Sequence, residues 1–299
     1  MINNYSVVFF VFKRPKTTYD FLTRMYKAGI KKIYVFADGP RDESEKVLTN
    51  RVKAEIIRFQ ETHQNIALFT NFAKKNIGLR QNIITGLNAV FKKEDAAIII
   101  EDDCLPSADF FRFTHEMLNR YKDDIRIMSI NGISVGGDYD GSSYGFTKYP
   151  QCWGWATWKR AWALYDPEIK HFNKVNWLKI SRILKLSKVS NWYWFNILSL
   201  TKMKKISTWD YQWSFAHFWN NGLAIVPKEN LVTNIGFDSA ATNTKHVNKS
   251  ISNINSKELI WPLTHPTVVT ENIAISKLIE KNYYLSIIAI LGLIRKIIL

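Results

Sequence analysis

The chain has 299 residues, of which 46% are hydrophobic and 22% are charged, so its composition is that of an ordinary globular protein and excludes a disordered or fibrous one. Its length fits two domains, or one large α/β domain with an extension. A total of 41 Lys and Arg against 26 Asp and Glu gives a net charge of +15, which indicates an anionic partner: a membrane surface, a nucleic acid or a phosphorylated small molecule.

The sequence contains two cysteines, Cys104 and Cys152, which are too few for a disulfide framework. Neither the cysteines nor the six histidines have the spacing of zinc ligands. We therefore expect a reducing, cytosolic compartment. The apolar run at residues 7–12 is too short for the core of a signal peptide, and we interpret it as a first strand.

Short apolar runs alternate with helical patterns through the first 130 residues. The runs SVVFFVF, KKIYVFAD, NIALFTN and AAIII predict strands, and the intervening TTYDFLTRMYKAG, DESEKVLTNRVKAEIIRFQ and GLRQNIITGLNAVFKK predict helices, the first with a Thr cap. This alternation indicates right-handed βαβ units and a mostly parallel sheet flanked by helices. In such sheets, ligands bind beyond the carboxyl ends of the strands.

The character of the sequence changes after about residue 130. Ten of the eleven tryptophans lie between Trp153 and Trp219, and residues 169–209 contain nine Lys or Arg and no acid. We predict a nucleotide-sugar-binding subdomain at 1–130, a less regular acceptor-binding, catalytic subdomain of the same domain at 131–257, and a tail at 258–299. The apolar stretch 283–294 is about 18 Å long as a helix, which favours an interfacial membrane contact over a span of roughly 30 Å.

An acidic triplet, Glu101, Asp102 and Asp103, directly follows the apolar run AAIII. Adjacent carboxylates raise one another's pKa, and a hard divalent cation relieves this repulsion. Mn²⁺ or Mg²⁺ held by one Asp together with a diphosphate fits the pattern. The alternative is that the triplet is a solvated loop with a helix cap, although Ser107 is better placed as the cap of the helix that follows.

Several motifs resemble those of GT-A fold glycosyltransferases, in particular the family of α-1,3-mannosyl-glycoprotein β-1,2-N-acetylglucosaminyltransferase I and its bacterial relatives. The similarity covers roughly residues 5–245, and the motifs occur in the family's order. They are VFKRP, YVFADG, NIGLRQN, IIIEDDCLPSADFF, YPQCWGWATW, STWDYQW and GLAIVPKENLVTNIG. The resemblance implies a GT-A-type fold in which EDD is the variant of the DXD metal motif.

The resemblance also implies roles for individual residues on the donor side. Asp103 would bind the metal, Asp102 would lie near the ribose, and Glu101 near the transferred sugar or the waters of the metal. Asp38 would accept a hydrogen bond from a uracil N–H, while Arg14 and Arg80 would contact the nucleotide or its phosphates. The alternatives are that Asp38 is a turn residue and that both arginines are ordinary surface cations.

Asp210 in STWDYQW is the candidate catalytic base, because an inverting transferase needs a base near the acceptor hydroxyl. The family carries two adjacent acids here, whereas this chain has Tyr211 after Asp210, and a helix N-cap is the alternative role. Flanking Trp209 and Trp213 should raise the pKa of Asp210. We expect most of the tryptophan cluster to be core. Its candidate sugar contacts are Trp153, Gly154, Trp155 and Trp209.

These features together predict a metal-dependent inverting glycosyltransferase. The expected donor is UDP-GlcNAc or a similar UDP-sugar, and the expected acceptor is a glycan or a lipid-linked glycan of surface polysaccharide biosynthesis. The basic stretch and the tail are expected to contact the inner face of the plasma membrane. An inactive membrane-associated glycan-binding or scaffold protein is the alternative. The acidic triplet disfavours a nucleic-acid partner. The segment FKRPKTT, which follows the first predicted strand, contains no glycine, and this disfavours a nucleotidyltransferase.

Overall fold

The computed structural model describes residues 5–236 and 254–298, so the part of the motif similarity at 237–245 lies outside the described residues. The strands are β1 (Ser6–Val11), β2 (Lys32–Ala37), β3 (Ala67–Phe72), β4 (Ala96–Glu101), β5 (Cys104–Pro106), β6 (Ile127–Asn131), β7 (Tyr144–Thr147), β8 (Trp155–Trp158), β9 (Leu223–Pro227) and β10 (Val232–Asn234). The helices are α1 (Pro15–Lys27), α2 (Glu43–Thr62), α3 (Leu79–Val90), α4 (Ala108–Arg120), α5 (Lys159–Trp162), α6 (Lys174–Ile183), α7 (Lys188–Lys202), α8 (Asp210–Trp219), α9 (Ile273–Ile279) and α10 (Ile287–Ile298).

Eight strands form one sheet in the order β3-β2-β1-β4-β8-β6-β9-β7, and β5 pairs with β10 in a small antiparallel sheet. Strands β3, β2, β1 and β4 are parallel, while β8 runs antiparallel to both of its neighbours, and β7 is antiparallel to β9. The sequence favours this arrangement because runs such as β1, which is apolar from Val7 to Val11, are buried on both faces. The predicted α/β class with a mostly parallel sheet is confirmed.

The helix boundaries differ from the predicted ones at α1. This helix begins at Pro15, before the predicted Thr cap, because proline suits the first position of a helix, where its missing N–H costs no bond. The hydroxyls of Thr17 and Thr18 donate to the carbonyl of Arg14 instead. At α4 the predicted cap is correct, since Ser107 Oγ accepts a bond of 3.2 Å from the N–H of Phe110.

The main sheet crosses the predicted boundary at residue 130. Strand β6 spans it, and β7, β8 and β9 all join the sheet that β1–β4 begin. A second, aromatic-rich core unites α6–α8 with the tail, in which Ile275 and Ile279 are fully buried. A π-helical turn at Glu280–Tyr284 leads into α10. Among the helices of residues 5–236 and 254–298, none combines the length and the hydropathy of a membrane-spanning segment.

The carboxyl ends of β1, β2 and β4 meet at one edge of the sheet. Phe10 pairs with Glu101 and Val11 with Ala37, and the N–H of Asp38 donates to the carbonyl of Val11 at 3.0 Å. Parallel pairing in this register brings KRP, ADGP and EDD to the same crevice, as the sequence predicts.

His217 on α8 is fully buried against the sheet. Its Nε2 lies 3.0 Å from Ser129 Oγ on β6, and its Nδ1 lies 3.1 Å from the carbonyl of Trp213. Burial lowers the pKa of His217 to about 3. The unfolded chain therefore binds a proton in the range from pH 6.5 down to about 3 that the folded protein does not.

Acidification should consequently destabilise the protein through His217. The stability that the neutral imidazole contributes is fully present above pH 6.5 and is lost as the pH falls toward 3. Between pH 7 and pH 5, denaturant unfolding of the wild type should lose about 2 kcal/mol more than that of His217→Gln. His171→Gln, at an exposed histidine, is the control. Parallel pH profiles for wild type and His217→Gln would contradict this assignment.

Candidate functional site

Three adjoining cavities lie along the carboxyl edge of the sheet. The edge cavity, of about 210 Å³, is lined by residues that include Arg14, Asp38, Asp102 and Asn82. The central cavity, of about 830 Å³, extends to Arg80, Trp153, Trp209 and Asp210. The side cavity, of about 310 Å³, continues from Asp210 toward α7 and α10. Glu101 and Asp103 line both the edge and the central cavities, so the acidic triplet forms the wall between them.

The acidic triplet comprises the last residue of β4 and the two-residue turn that leads into β5, and it is held from two sides. Asp102 Oδ2 accepts a bond of 2.8 Å from the N–H of Phe12 at the end of β1, and Arg14 Nε lies 4.0 Å from Asp102 Oδ1. On the other side, the carbonyl of Asp103 accepts from the N–H of Ile235 at 2.8 Å. The turn is therefore fixed between the central sheet and β10.

The carboxylates of the triplet oppose one another's ionisation. Burial raises the pKa of Glu101 well above its ordinary value, with further contributions from Asp103, Asp102 and Asp210. Burial and then the charge of Asp103 raise the pKa of Asp102 to about 7, against the opposing effects of the Phe12 N–H and Arg14. Negative charge at this tip is thus costly unless a cation is nearby.

Gly236 permits the close approach of Asp103 to the far side of the cleft. A Cβ atom at Gly236 would lie 2.3 Å from Asp103 Oδ2, and the N–H of Gly236 is held at 2.7 Å by Asn234 Oδ1. Gly236 lines both the edge and the central cavities. Gly236 was not predicted as a site residue, and its one signal in the sequence is its position at the end of the motif GLAIVPKENLVTNIG.

The donor set at the triplet fits a hard divalent cation that a ligand completes. In the described parts of the chain, no group of three or more His, Cys, Asp or Glu side chains is arranged to hold a metal ion by itself. Carboxylate oxygens that are partly buried, mutually repelling and open to a cavity match Mg²⁺ or Mn²⁺, which take one or two carboxylates and substrate phosphates. Asp103, with Glu101 beside it, would hold such an ion.

Asp38 is buried and its carboxylate accepts four hydrogen bonds. Oδ1 accepts from the N–H groups of Gly39 and Ile77, and Oδ2 from the amide of Asn76 and the N–H of Gly78, all at 2.8–3.0 Å. Asp38 thereby ties the end of β2 to the loop before α3. It also lines the edge cavity, where the predicted contact with a pyrimidine stays a prediction.

The two predicted arginines lie in different cavities. Arg14 lines the edge cavity beside Asp102. Arg80 lines the central cavity, and its Nη2 donates to the carbonyl of Pro167 at 2.9 Å and lies 3.3 Å from Glu168 Oε1. Arg41 in the edge cavity was not anticipated, although it follows ADGP directly.

Asp210 is the first residue of α8 and lines both the central and the side cavities. Its Oδ1 accepts from the hydroxyl of Thr208 and, at 3.0 Å, from the N–H of Tyr211. Trp209 occupies the N-cap position, so Asp210 is not the cap. Burial raises the pKa of Asp210, as the sequence predicts, and Lys296 is among the groups that oppose the rise.

The four candidate sugar contacts separate into two groups. Trp153 and Trp209 line the central cavity. Trp155 is buried in the core, where its ring stacks on Trp209 with centroids 5.5 Å apart. Gly154 adopts a left-handed φ of 63°, and a Cβ there would lie 2.7 Å from a methyl group of Val232, so this glycine serves backbone packing.

Comparison with models of protein families and with curated proteins found no match. Among solved structures, mannosyltransferase PcManGT from Pyrobaculum calidifontis in complex with GDP-Man and Mn²⁺ is 14% identical with a TM-score of 0.36, over 52% of this chain and 45% of that chain. A UDP-glucose pyrophosphorylase complexed with UDP-glucose is 11% identical with a TM-score of 0.34, over 55% and 79%. The 4-diphosphocytidyl-2C-methyl-D-erythritol synthase from Anaerococcus prevotii is 10% identical with a TM-score of 0.35, over 62% and 86%.

The chain thus spans less than half the length of the mannosyltransferase that it matches. Similarity at this level carries no information on activity. An inference about function must therefore come from the geometry of the cleft.

Gly236→Ala should weaken metal-dependent ligand binding at the cleft, because the added methyl group displaces the Asp103 carboxylate. We expect the affinity for UDP in the presence of Mn²⁺ to fall roughly 10-fold or more, as measured by calorimetry. Gly292→Ala, where a Cβ meets no atom within 4 Å, is the control for a generic glycine effect. Unchanged UDP affinity in Gly236→Ala would contradict a role for Asp103 at this position.

Proposed function

We propose that the protein is a metal-dependent inverting glycosyltransferase that moves a sugar from a UDP-sugar, such as UDP-GlcNAc, to a glycan. The observation that carries this proposal is the acidic wall shared by two cavities, with Arg14 and Asp38 on one side and Asp210 on the other. A transferase needs two substrate sites that meet at the reacting carbon. A binding module needs only one.

The edge cavity suits the nucleotide diphosphate of the donor. Arg14 supplies a planar guanidinium for phosphate or ribose oxygens, and Asp38 presents a carboxylate at the cavity wall. A Mn²⁺ or Mg²⁺ held by Asp103 would neutralise the charge that develops on the departing diphosphate. With the nucleotide held by Arg14 and Asp38 in the edge cavity, the sugar of the donor lies toward the central cavity.

The central cavity suits the acceptor, and Asp210 is placed to act as its general base. The Thr208 hydroxyl and the Tyr211 N–H both donate to Asp210 Oδ1, which leaves Oδ2 to receive the proton of the acceptor hydroxyl. A raised pKa makes Asp210 a stronger base than an ordinary aspartate. In-line attack by the deprotonated oxygen then inverts the configuration at the sugar carbon.

A membrane-bound acceptor is supported by the surface that α6, α7 and α10 present. These neighbouring helices leave apolar side chains exposed among basic ones: Val175, Leu178, Ile183, Val189, Trp192, Ile287, Leu291 and Ile297. Basic and apolar groups on one surface favour peripheral binding to anionic lipid. We therefore propose that the enzyme works on lipid-linked glycans at the cytoplasmic face of the membrane, in surface polysaccharide biosynthesis.

Two substitutions test the catalytic assignment. Asp210→Asn should lower the turnover of a UDP-sugar about 100-fold or more while leaving Mn²⁺-dependent UDP binding intact, because only the base is lost. Asp103→Asn should abolish both the turnover of the UDP-sugar and the Mn²⁺-dependent binding of UDP. Asp20→Asn, at an exposed position on α1, is the control.

The donor for this assay comes from a panel of UDP-sugars, selected by thermal stabilisation with and without Mn²⁺. Slow hydrolysis of the selected donor serves as the turnover until an acceptor is found. Normal turnover in Asp210→Asn would remove it as the base. Binding of a UDP-sugar without any turnover in the wild type would favour the alternative of an inactive glycan-binding or scaffold protein.

The membrane proposal predicts that vesicle binding depends on the exposed apolar residues. The double variant Trp192→Ser/Leu291→Ser should bind vesicles of 30% anionic lipid roughly 10-fold more weakly than the wild type in a sedimentation assay, because burial of both side chains in the interface is lost. Ile125→Ser, at an exposed position between α4 and β6, is the control. Equal binding of all three proteins would contradict the proposed surface.

A further inference from the structure

The side cavity adjoins the central cavity at Asp210, the candidate base. It shares Asp210, Tyr211, Trp153 and Lys296 with the central cavity, and its remaining lining comes mainly from α7, the π-helical turn and α10. The catalytic proposal makes no use of this space. A ligand that occupies the central cavity can extend into it without leaving the protein.

The walls of the side cavity are aromatic and fixed by their own contacts. The ring of Tyr284 packs on Tyr193 with centroids 6.1 Å apart, and its hydroxyl accepts from the amide of Gln151 at 3.0 Å. Tyr283 meets Trp153 edge-on at 5.7 Å. Burial raises the pKa of Tyr211 and Tyr284 well above the ordinary value, so these walls carry no charge at neutral pH.

Gly292 on α10 lines the side cavity, at a position where neither the backbone nor a close neighbour requires a glycine. A Cβ there would meet no atom of residues 5–236 and 254–298 within 4 Å, and its φ is not in the left-handed region. A helix with alanine in place of an interior glycine is more stable by about 1 kcal/mol. The glycine therefore costs the helix stability, and what it provides is open space beside Tyr283 and Tyr284.

Lys296, one helical turn after Gly292, brings a positive charge to the same space. It lines both the central and the side cavities and lies close enough to Asp210 to favour that residue's ionised form. Among the described residues, it is the one Lys or Arg in the lining of the side cavity. An ammonium group beside an uncharged aromatic wall matches a ligand that is anionic at one point and apolar elsewhere.

Helix α10 also links the cavity to the exposed apolar surface. Ala289, Gly292, Leu293 and Lys296 line the side cavity, whereas Ile287, Ile288 and Leu291 are exposed. Of these, Ile287 and Leu291 are 77% and 52% exposed. A single helix thus carries the cavity wall on one side and the proposed membrane contact on the other.

We propose that the side cavity is an acceptor subsite for a phosphorylated apolar chain, with the phosphate at Lys296 and the chain along the aromatic wall. This inference rests on the proposed transferase function and makes it more specific: the acceptor sugar is joined through phosphate to a prenyl-like lipid. The phosphate then places the acceptor hydroxyl near Asp210, and the chain leads toward the lipid surface.

Geranyl phosphate, inorganic phosphate and geraniol are the probes for this subsite. Their binding is measured on the full chain by the fluorescence of the tryptophans, below the concentration at which geranyl phosphate forms micelles. Geranyl phosphate should bind at least ~10-fold more tightly than either fragment, which corresponds to about 1.4 kcal/mol. Equal affinity for inorganic phosphate would overturn the proposal in favour of a soluble anionic glycan.

Two variants locate the binding. Lys296→Met should weaken geranyl phosphate binding about 10-fold, whereas Arg295→Met, the neighbouring exposed cation outside the cavity lining, should leave it within about twofold. Gly292→Leu, which fills the cavity and favours the helix, should reduce geranyl phosphate to the affinity of inorganic phosphate. Equal losses in Lys296→Met and Arg295→Met would mean attraction to a basic surface and would overturn the site.

UDP binding in the presence of Mn²⁺ separates this inference from the proposed function. It should be the same in Lys296→Met, Gly292→Leu and the wild type, because the edge cavity is not touched. If UDP with Mn²⁺ does not bind the wild type, the proposed function fails whatever geranyl phosphate does. If UDP binds and geranyl phosphate does not, the side-cavity proposal alone fails.

Discussion

Electrostatic repulsion among Glu101, Asp102 and Asp103 is the constraint on which the cleft depends. The three carboxylates cannot all ionise cheaply in a partly buried turn, and burial together with this repulsion raises the pKa of Glu101 and Asp102. The fold holds the turn in place from both sides, through the Phe12 N–H at the end of β1 and through the Ile235 N–H next to β10. Hydrogen bonds from backbone N–H groups therefore keep these carboxylates close together despite their mutual repulsion. Such a site gains stability when it binds a cation.

The cleft has a polar half and an aromatic half, and the acidic wall separates them. On the polar side, the hydrogen bonds of Asp38 and the ion pair of Arg41 with Glu45 fix the walls before any ligand binds. On the other side, packed rings of tryptophan and tyrosine perform the same role. Walls that are ordered in advance lose little conformational entropy when a ligand binds, which is the physical basis of preorganisation.

Much of the fold could be predicted because its strands are short apolar runs with strong local signals. Parallel strands buried on both faces need such runs, and their shared carboxyl edge brought Arg14, Asp38 and the acidic triplet together in the prediction. The contribution of Gly236 could not be predicted, because its importance lies in a close approach to Asp103, more than a hundred residues away. Lys296 was likewise hidden, since only tertiary packing brings α10 to Asp210. Trp155 and Trp209 look alike in sequence and both are buried, yet Trp209 also lines the central cavity.

The position of β8 in the sheet has a consequence for how the chain folds during synthesis. β8 lies between β4 and β6 and pairs with both, so the open edge of β4 has no partner until the ribosome has made residues well beyond the acidic triplet. An uncovered edge of Ala96–Glu101, which is apolar for most of its length, is a template for wrong pairing between nascent chains. The tryptophan-rich segment, through β8, therefore covers the strand edge that the amino-terminal half would otherwise leave open.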